Sequence, residues 1–267
     1  MAERPIGMFD SGFGGLTVAR AVIDLLPAED LVYLGDTGRY PYGPRELDEV
    51  ARFAHQIAEE LVHGRNVKLL VVACNTAAAA ALESLRDRFE VPVIGVIEPG
   101  ARALASATVT GRVGVIGTVG TINSGAYQRA VAAESDDLEL VALACPGLVE
   151  FVERGEFATE QVHVLTERLL APARDAKVDT LLLGCTHYPY LARTISDVMG
   201  RDVVLVSSAD ETAFEVRRVL TDAGLQAPAG RRGEATFVTT GDVHWFEELG
   251  RRLLGPELDR AERLGWD

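Results

Sequence analysis

Two cysteines stand in near-copies of one phrase: LLVVACNT around Cys74 and TLLLGCTH around Cys185. In each, an unbroken apolar run leads to a small residue, the cysteine, and then hydroxyl or amide side chains. A run of that kind reads as a buried parallel strand. The cysteine then stands at the strand's carboxyl end, where open α/β sheets place their ligands. One such thiol is a candidate nucleophile. A matched pair points to a site approached from both sides, which is what inverting a carbon centre by moving a proton requires. One base removes the proton from one face while an acid delivers another to the opposite face. Thiols suit both roles, because a thiol pKa of about 8.5 is readily lowered by hydrogen bonds or a helix N-terminus. Both cysteines are expected just before such a terminus, where the macrodipole favours thiolate.

Composition narrows the chemistry. Of 26 basic side chains only Lys68 and Lys177 are lysines. Each precedes an apolar run, so each belongs at a strand's amino end, roughly 20 Å from the carboxyl ends at about 3.3 Å per residue. A pyridoxal-phosphate enzyme needs a lysine in its site, and neither lysine is expected there. The net charge of −14 and pI near 4.8 argue against broad binding to nucleic acid or anionic membranes, which want basic patches. No apolar run approaches the roughly 18 residues that span a bilayer. The N-terminal MAERPIGMFD lacks a signal pattern. With three cysteines, none in C-x-x-C spacing, the expected setting is a reducing cytoplasm with free thiols.

The elements that must position the thiols alternate along the chain. Strand-like runs are Ile6–Phe9, Leu31–Leu34, Lys68–Ala73, Val91–Val96, Arg112–Ile116, Leu138–Ala142, Val178–Gly184, Val203–Val206 and Ala235–Thr239. Helical patterns fall at Gly14–Leu26, Arg45–His63, Thr76–Arg88, Ile122–Glu134, Ala158–Ala171, Ala209–Ala223 and Val243–Leu254. Regular βα alternation implies parallel sheets with right-handed crossovers. The stretch Ala229–Gly233 is the clearest loop. An internal repeat is visible as well. IGMFDSGFGGLTVA opens the first half and VGVIGTVGTINSGA the second, and in each half a cysteine follows at a similar distance. Two related α/β domains, with their carboxyl-edge loops facing across a cleft, account for the matched cysteines.

The motifs FDSGFGG, YLGDTGRYPYG, ACNTA, VIGT…INS and GCTHYP, in that order from Ile6 to about Thr240, resemble those of the glutamate racemases, in the cofactor-independent aspartate/glutamate racemase superfamily. The resemblance implies an α/β fold of two pseudo-symmetric domains with mainly parallel sheets and the active site between them. The first domain would be 1–97 plus 207–267 and the second 98–206. It further implies that Cys74 and Cys185 are the paired acid/base residues, exchanging roles with reaction direction, and that Asp10 and His187 assist them. Asp10 would meet the substrate ammonium or tune Cys74; an Asx-turn is the plainer reading of that residue. The resemblance places Ser11, Tyr42, Gly43, Asn75, Thr76 and Thr186 in the substrate pocket. Thr118 and Thr121 join them because hydroxyls and N–H groups at strand–helix turns bind carboxylates. The activity implied is interconversion of L- and D-glutamate without cofactor or metal, in a cytoplasmic homodimer, supplying D-glutamate for peptidoglycan. Alternatives are a sister racemase acting on aspartate or a hydantoin, or an amino-acid-binding regulator with catalysis lost.

Other residues carry weaker signals. Cys145, in ACPGLVEF, has no matching partner and reads as a core or hinge cysteine. Asp36 reads equally as a loop-ordering or a functional residue, and Glu153 as a residue orienting His187. DSGFGGLT is neither G-x-G-x-x-G nor followed by G-K-[ST], so nucleotide binding is not indicated. Cys74, Cys185 and His187 are zinc-ligand types without local metal-site spacing, and a metal would quench the thiols. His55, His63, His163 and His244 lie in polar helical stretches and are expected to be solvated.

Overall fold

The computed structural model describes residues 2–228 and 230–266. Ala229, the first residue of the expected loop, lies outside them; residues 230–233 form no helix or strand. Among the described residues ten strands alternate with helices: β1 Ile6–Asp10, β2 Leu31–Gly35, β3 Leu69–Val72, β4 Val93–Gly95, β5 Arg112–Gly117, β6 Glu139–Ala144, β7 Thr180–Leu183, β8 Val204–Ser207, β9 Ala235–Thr239 and β10 Ala261–Arg263. They form two sheets, ordered β10-β9-β2-β1-β3-β4 and β6-β5-β7-β8. Every pairing is parallel. The α/β class expected from the sequence is the one found.

The repeat is realised in topology. The order β2-β1-β3-β4 in one sheet and β6-β5-β7-β8 in the other is the same order, taken twice. In such a sheet the direction of connection reverses between the first and third strands, and that switch point is where ligands bind. Cys74 follows β3 and Cys185 follows β7, so the two thiols leave their sheets at corresponding switch points. β1, β3 and β7 are buried along their whole length, as their apolar runs require.

Several elements depart from their expected bounds for local reasons. The helix Ile97–Ala107 went unread because Pro99 and Gly100 look like a break. Proline is tolerated in a first turn, where its missing N–H has no partner to lose. Gly100 sits close to its neighbours, since a Cβ would lie 3.2 Å from Ser208 Cβ and 3.3 Å from Leu182 Cδ2. The expected helix Ile122–Glu134 is two helices, Val119–Asn123 and Ala126–Glu134, divided at Gly125, whose φ of 71° is left-handed and breaks a right-handed run. The expected Arg45–His63 ends as an α-helix at Glu59 and finishes in a π turn, Glu60–Gly64. The helices Leu148–Glu153 and Ala192–Met199 were too short to show a period.

Both lysines sit at amino ends, as expected. Lys68 directly precedes β3, is buried, and pairs with buried Glu29 while donating to the Ala2 carbonyl at 2.6 Å. Lys177 lies on the turn before β7 with a φ of 55°.

Candidate active site

Cys74 is the N-cap of the 14-residue helix Asn75–Arg88, with extended backbone angles (φ −76°, ψ 122°). The helix starts there because the strand ends and NTAAAAA, rich in the strongest helix former, takes over. Burial pushes the Cys74 thiol up to about 12, and the neighbouring Asp10 charge adds to the effect. Hydrogen bonds from the Ala77 N–H and from Ser11 act in the opposite direction, since they favour thiolate.

Cys185 is supported differently. Pro189 belongs to a short 3-10 turn, Tyr188–Leu191, so Cys185 and Thr186 lie on a loop and no α-helix begins at the thiol. The expected helix N-terminus is therefore present at Cys74 and absent at Cys185. In its place stands His187, whose Nδ1 lies 3.8 Å from Cys185 Sγ. The other ring nitrogen, Nε2, lies 3.3 Å from Glu153 Oε1. Burial alone would lower the His187 pKa. The hydrogen bonds to Cys185 and Glu153, with the charges of Cys185 and Asp10, outweigh it and raise the value to about 10. A thiol, an imidazole and a carboxylate in series is the arrangement of an activated sulfur with an oriented partner.

The two thiols line one small cavity between the sheets, with about 90 Å³ of water-accessible space. Of the residues expected in the site, Ser11, Tyr42, Gly43, Cys74, Asn75, Thr76, Thr118, Cys185, Thr186 and His187 line it. Asp10 and Thr121 do not; both are fully buried behind the wall. Asp10 Oδ1 accepts from the Gly12 N–H at 2.9 Å, closing the Asx-turn, and Oδ2 accepts from Thr186 Oγ1 at 3.2 Å across to the second sheet. Burial raises its carboxyl pKa. Thr121 closes a triangle of hydroxyls, 3.1 Å from Thr76 Oγ1 and 2.9 Å from Thr118 Oγ1, with Thr76 and Thr118 3.0 Å apart. This triangle also joins the two halves, together with a 3.0 Å bond from the Gly120 N–H to the Gly43 carbonyl.

Asp36 orders the loop that carries Tyr42. Its buried carboxylate accepts from Arg39 Nε at 2.7 Å, from Thr240 Oγ1 at 2.6 Å and from the Tyr42 hydroxyl. The Tyr42 hydroxyl is thus spent on Asp36. Residues that the sequence left out of the site also line the cavity, among them Tyr40, Cys145, Val149 and Glu150. Tyr40 belongs to the same YPYG motif as Tyr42, which was a usable signal. Cys145 is a core cysteine, as read, yet it faces the cavity too. Among the described residues, no three His, Cys, Asp or Glu are placed to hold a metal ion. His63, His163 and His244 are exposed as expected, while His55 is half-buried and bonds Ser84 Oγ at 2.8 Å.

His187 yields a pH prediction that is independent of turnover. A folded pKa near 10 against an ordinary 6.5 means the folded state holds a proton that the unfolded chain releases earlier. The stabilisation is complete below pH 6.5 and is lost as pH rises through about 10. The urea midpoint of the wild type is expected to fall across that window. In His187→Asn the fall attributable to this group should be absent; equal slopes in both proteins would refute it.

The Asp/Glu/hydantoin racemase family model matches residues 11–215. The chain is 54% identical over 264 residues to a glutamate racemase of Parafrankia sp. (strain EAN1pec), an alignment covering 97% of this chain and 93% of that protein. Its structure superposes on glutamate racemase isoform RacE1 from Bacillus anthracis with a TM-score of 0.93 and 42% identity, covering 100% and 98% of the two chains. A glutamate racemase from Francisella tularensis, solved in complex with D-glutamate, gives 0.92 at 31% identity, covering 99% and 98%. Paired switch-point thiols in one cavity and likeness along the whole chain agree: this chain belongs to the Asp/Glu/hydantoin racemase family.

Proposed function

We propose that this chain interconverts L- and D-glutamate by proton transfer between two thiols. The observation that carries the reading is that Cys74 and Cys185 leave corresponding points of two like sheets and line the same cavity. The glutamate racemases it resembles, one of them solved with D-glutamate, supply the substrate.

The α-hydrogen of an amino acid is a very weak acid, so its removal needs a base in contact and a partner ready on the far side. One cysteine takes the proton as thiolate while the other, as thiol, delivers its own to the opposite face. At the end of a turnover the two have exchanged protonation states, ready for the reverse direction. Cys74 draws on the helix N-terminus and the Ser11 hydrogen bond, and Cys185 on His187 held by Glu153. The substrate carboxylate takes the N–H groups and hydroxyls of the strand–helix turns at Ser11, Asn75, Thr76, Thr118 and Thr186, with the Tyr42–Gly43 loop closing the pocket. Asp10 acts from behind, through Thr186 and through its charge on Cys74. Neither lysine lines the cavity, and the proposed reaction uses no cofactor and no metal.

The proposed domains are 1–97 with 207–267, and 98–206, each holding one sheet save that Ser207, the last residue of β8, falls in the first. The proposed setting is a homodimer in the cytoplasm, where D-glutamate serves peptidoglycan synthesis. Among the described residues no helix is long and apolar enough to cross a membrane. The test is circular dichroism of L- and D-glutamate and of L- and D-aspartate incubated with the purified chain, without pyridoxal phosphate. Glutamate is expected to lose its signal from either enantiomer. Loss with aspartate alone would assign the sister activity, and no loss with either would sink the racemase reading.

A further inference from the structure

Tyr127 lies two residues after the left-handed Gly125, in the first turn of the helix Ala126–Glu134. Its side chain is fully buried and is not part of the cavity wall. Its hydroxyl accepts a hydrogen bond from Asn75 Nδ2 at 2.7 Å. Its ring lies against Gly184, where a Cβ would stand 2.8 Å from Tyr127 Cε2. Asn75 immediately follows Cys74, and Gly184 immediately precedes Cys185. One side chain therefore touches the chain neighbours of both thiols, through two chemically separate parts.

The Asn75 amide shows what the hydroxyl does. An amide is planar, so tying its nitrogen fixes where its oxygen points. Asn75 lines the cavity, and its Oδ1 is buried without a hydrogen-bond partner among the described residues. A buried polar atom left unpaired is costly unless something arrives to use it. A bare acceptor on a cavity-lining residue suits a cationic donor, such as the ammonium of an amino acid. The ring has a different task. Gly184 is hemmed by Ile116 O at 2.7 Å, Tyr127 Cε2 at 2.8 Å and Val115 Cγ2 at 2.9 Å from its absent Cβ, so the strand end before Cys185 is seated directly on the tyrosine.

We propose that Tyr127 is a positioning residue for racemisation: its hydroxyl aims the Asn75 amide oxygen at the bound amino acid, and its ring holds the Cys185 strand end at a set distance from the Cys74 helix. The proposal rests on the two-thiol reading above. Its two arms separate by substitution. Tyr127→Phe keeps the ring and loses the lock, so the interaction lost is made in ground and transition states alike. KM for both enantiomers should rise about tenfold with kcat changed less than about threefold. Tyr127→Leu loses the seat as well, and kcat should fall by about 10²-fold, the usual cost of misplacing a reacting group. A merely structural tyrosine would lower the folded fraction in either variant and leave KM where it was.

A second measurement does not depend on turnover. In ligand-free protein, the side-chain NH2 resonances of Asn75, assigned by their loss in Asn75→Ala, should shift and exchange faster with water in Tyr127→Phe. Unchanged resonances, or an unchanged KM in a Phe variant of an active wild type, overturn the role of Tyr127 alone. A wild type that leaves glutamate enantiomers untouched overturns the racemase reading, and the kinetic role of Tyr127 with it.

Discussion

Cys74→Ala is expected to lower racemisation in both directions by about 10³-fold or more, and Cys185→Ala to do the same. In the proposed two-thiol reaction each removes the group that serves one face of the α-carbon, and a positioned acid or base contributes about 10²–10⁴-fold. The informative result lies in what survives. A lone thiolate can still take a proton from the face it reaches and return a solvent-derived one to that face. In deuterated water, each variant should exchange the α-hydrogen of one enantiomer without inverting it. The two variants should choose opposite enantiomers. The measurement is NMR of the α-proton with each pure enantiomer. Both variants exchanging the same enantiomer, or either one racemising at near wild-type rate, would show that the cysteines do not divide the two faces.

Gly14→Ala is expected to cut turnover by about 10²-fold in a chain that still folds. The residue lies on the loop between β1 and the helix Leu16–Leu25. A Cβ there would sit 2.2 Å from Thr186 Oγ1 and 2.5 Å from His187 Nδ1. No rotation of the methyl relieves such contacts, so the Thr186 and His187 side chains must shift. The His187 contact to Cys185 and the Thr186 contact to Asp10 are then disturbed. Reacting groups displaced by about an ångström lose about 10² in rate. Gly265, with nothing within 4 Å of its Cβ position, is the matched control. Gly14→Ala retaining activity equal to Gly265→Ala, with equal thermal midpoints, would show that the loop contact is dispensable.

The sequence made the two thiols legible because β3 and β7 are central strands buried on both faces, and burial of that kind writes itself as an unbroken apolar run. Cys145 was read apart from the two thiols because Pro146 and Gly147 follow it in place of hydroxyl or amide side chains. It follows β6, an edge strand that is mostly half-buried, although the run LVALA is apolar up to the cysteine. Reading its end at Ala142 instead of Ala144 hid the fact that all three cysteines leave strand ends. The absence of an α-helix at Cys185 was also beyond reach, since it turns on where Pro189 falls within a short turn. Asp10 was found at the correct strand end. That it reaches Thr186 from behind, and does not stand on the cavity wall, depends on how the two sheets meet, and no local pattern records that. The Ile97–Ala107 helix was lost to two residues whose usual meaning is reversed by position: a proline in a first turn, and a glycine close to its neighbours.

The duplicated strand order gives the site two halves of one plan, yet the halves are not equally equipped: a helix terminus serves one sulfur, an imidazole the other. Mirror-image substrates have equal free energies in water, so the ratio of kcat to KM must be the same for both enantiomers. Unequal halves cannot disturb that equality. They can only redistribute it, so the enantiomer held more tightly must be released or converted more slowly in exact proportion. A near-symmetric fold thereby confines its own asymmetry to how long each hand stays bound, leaving the equilibrium between them untouched.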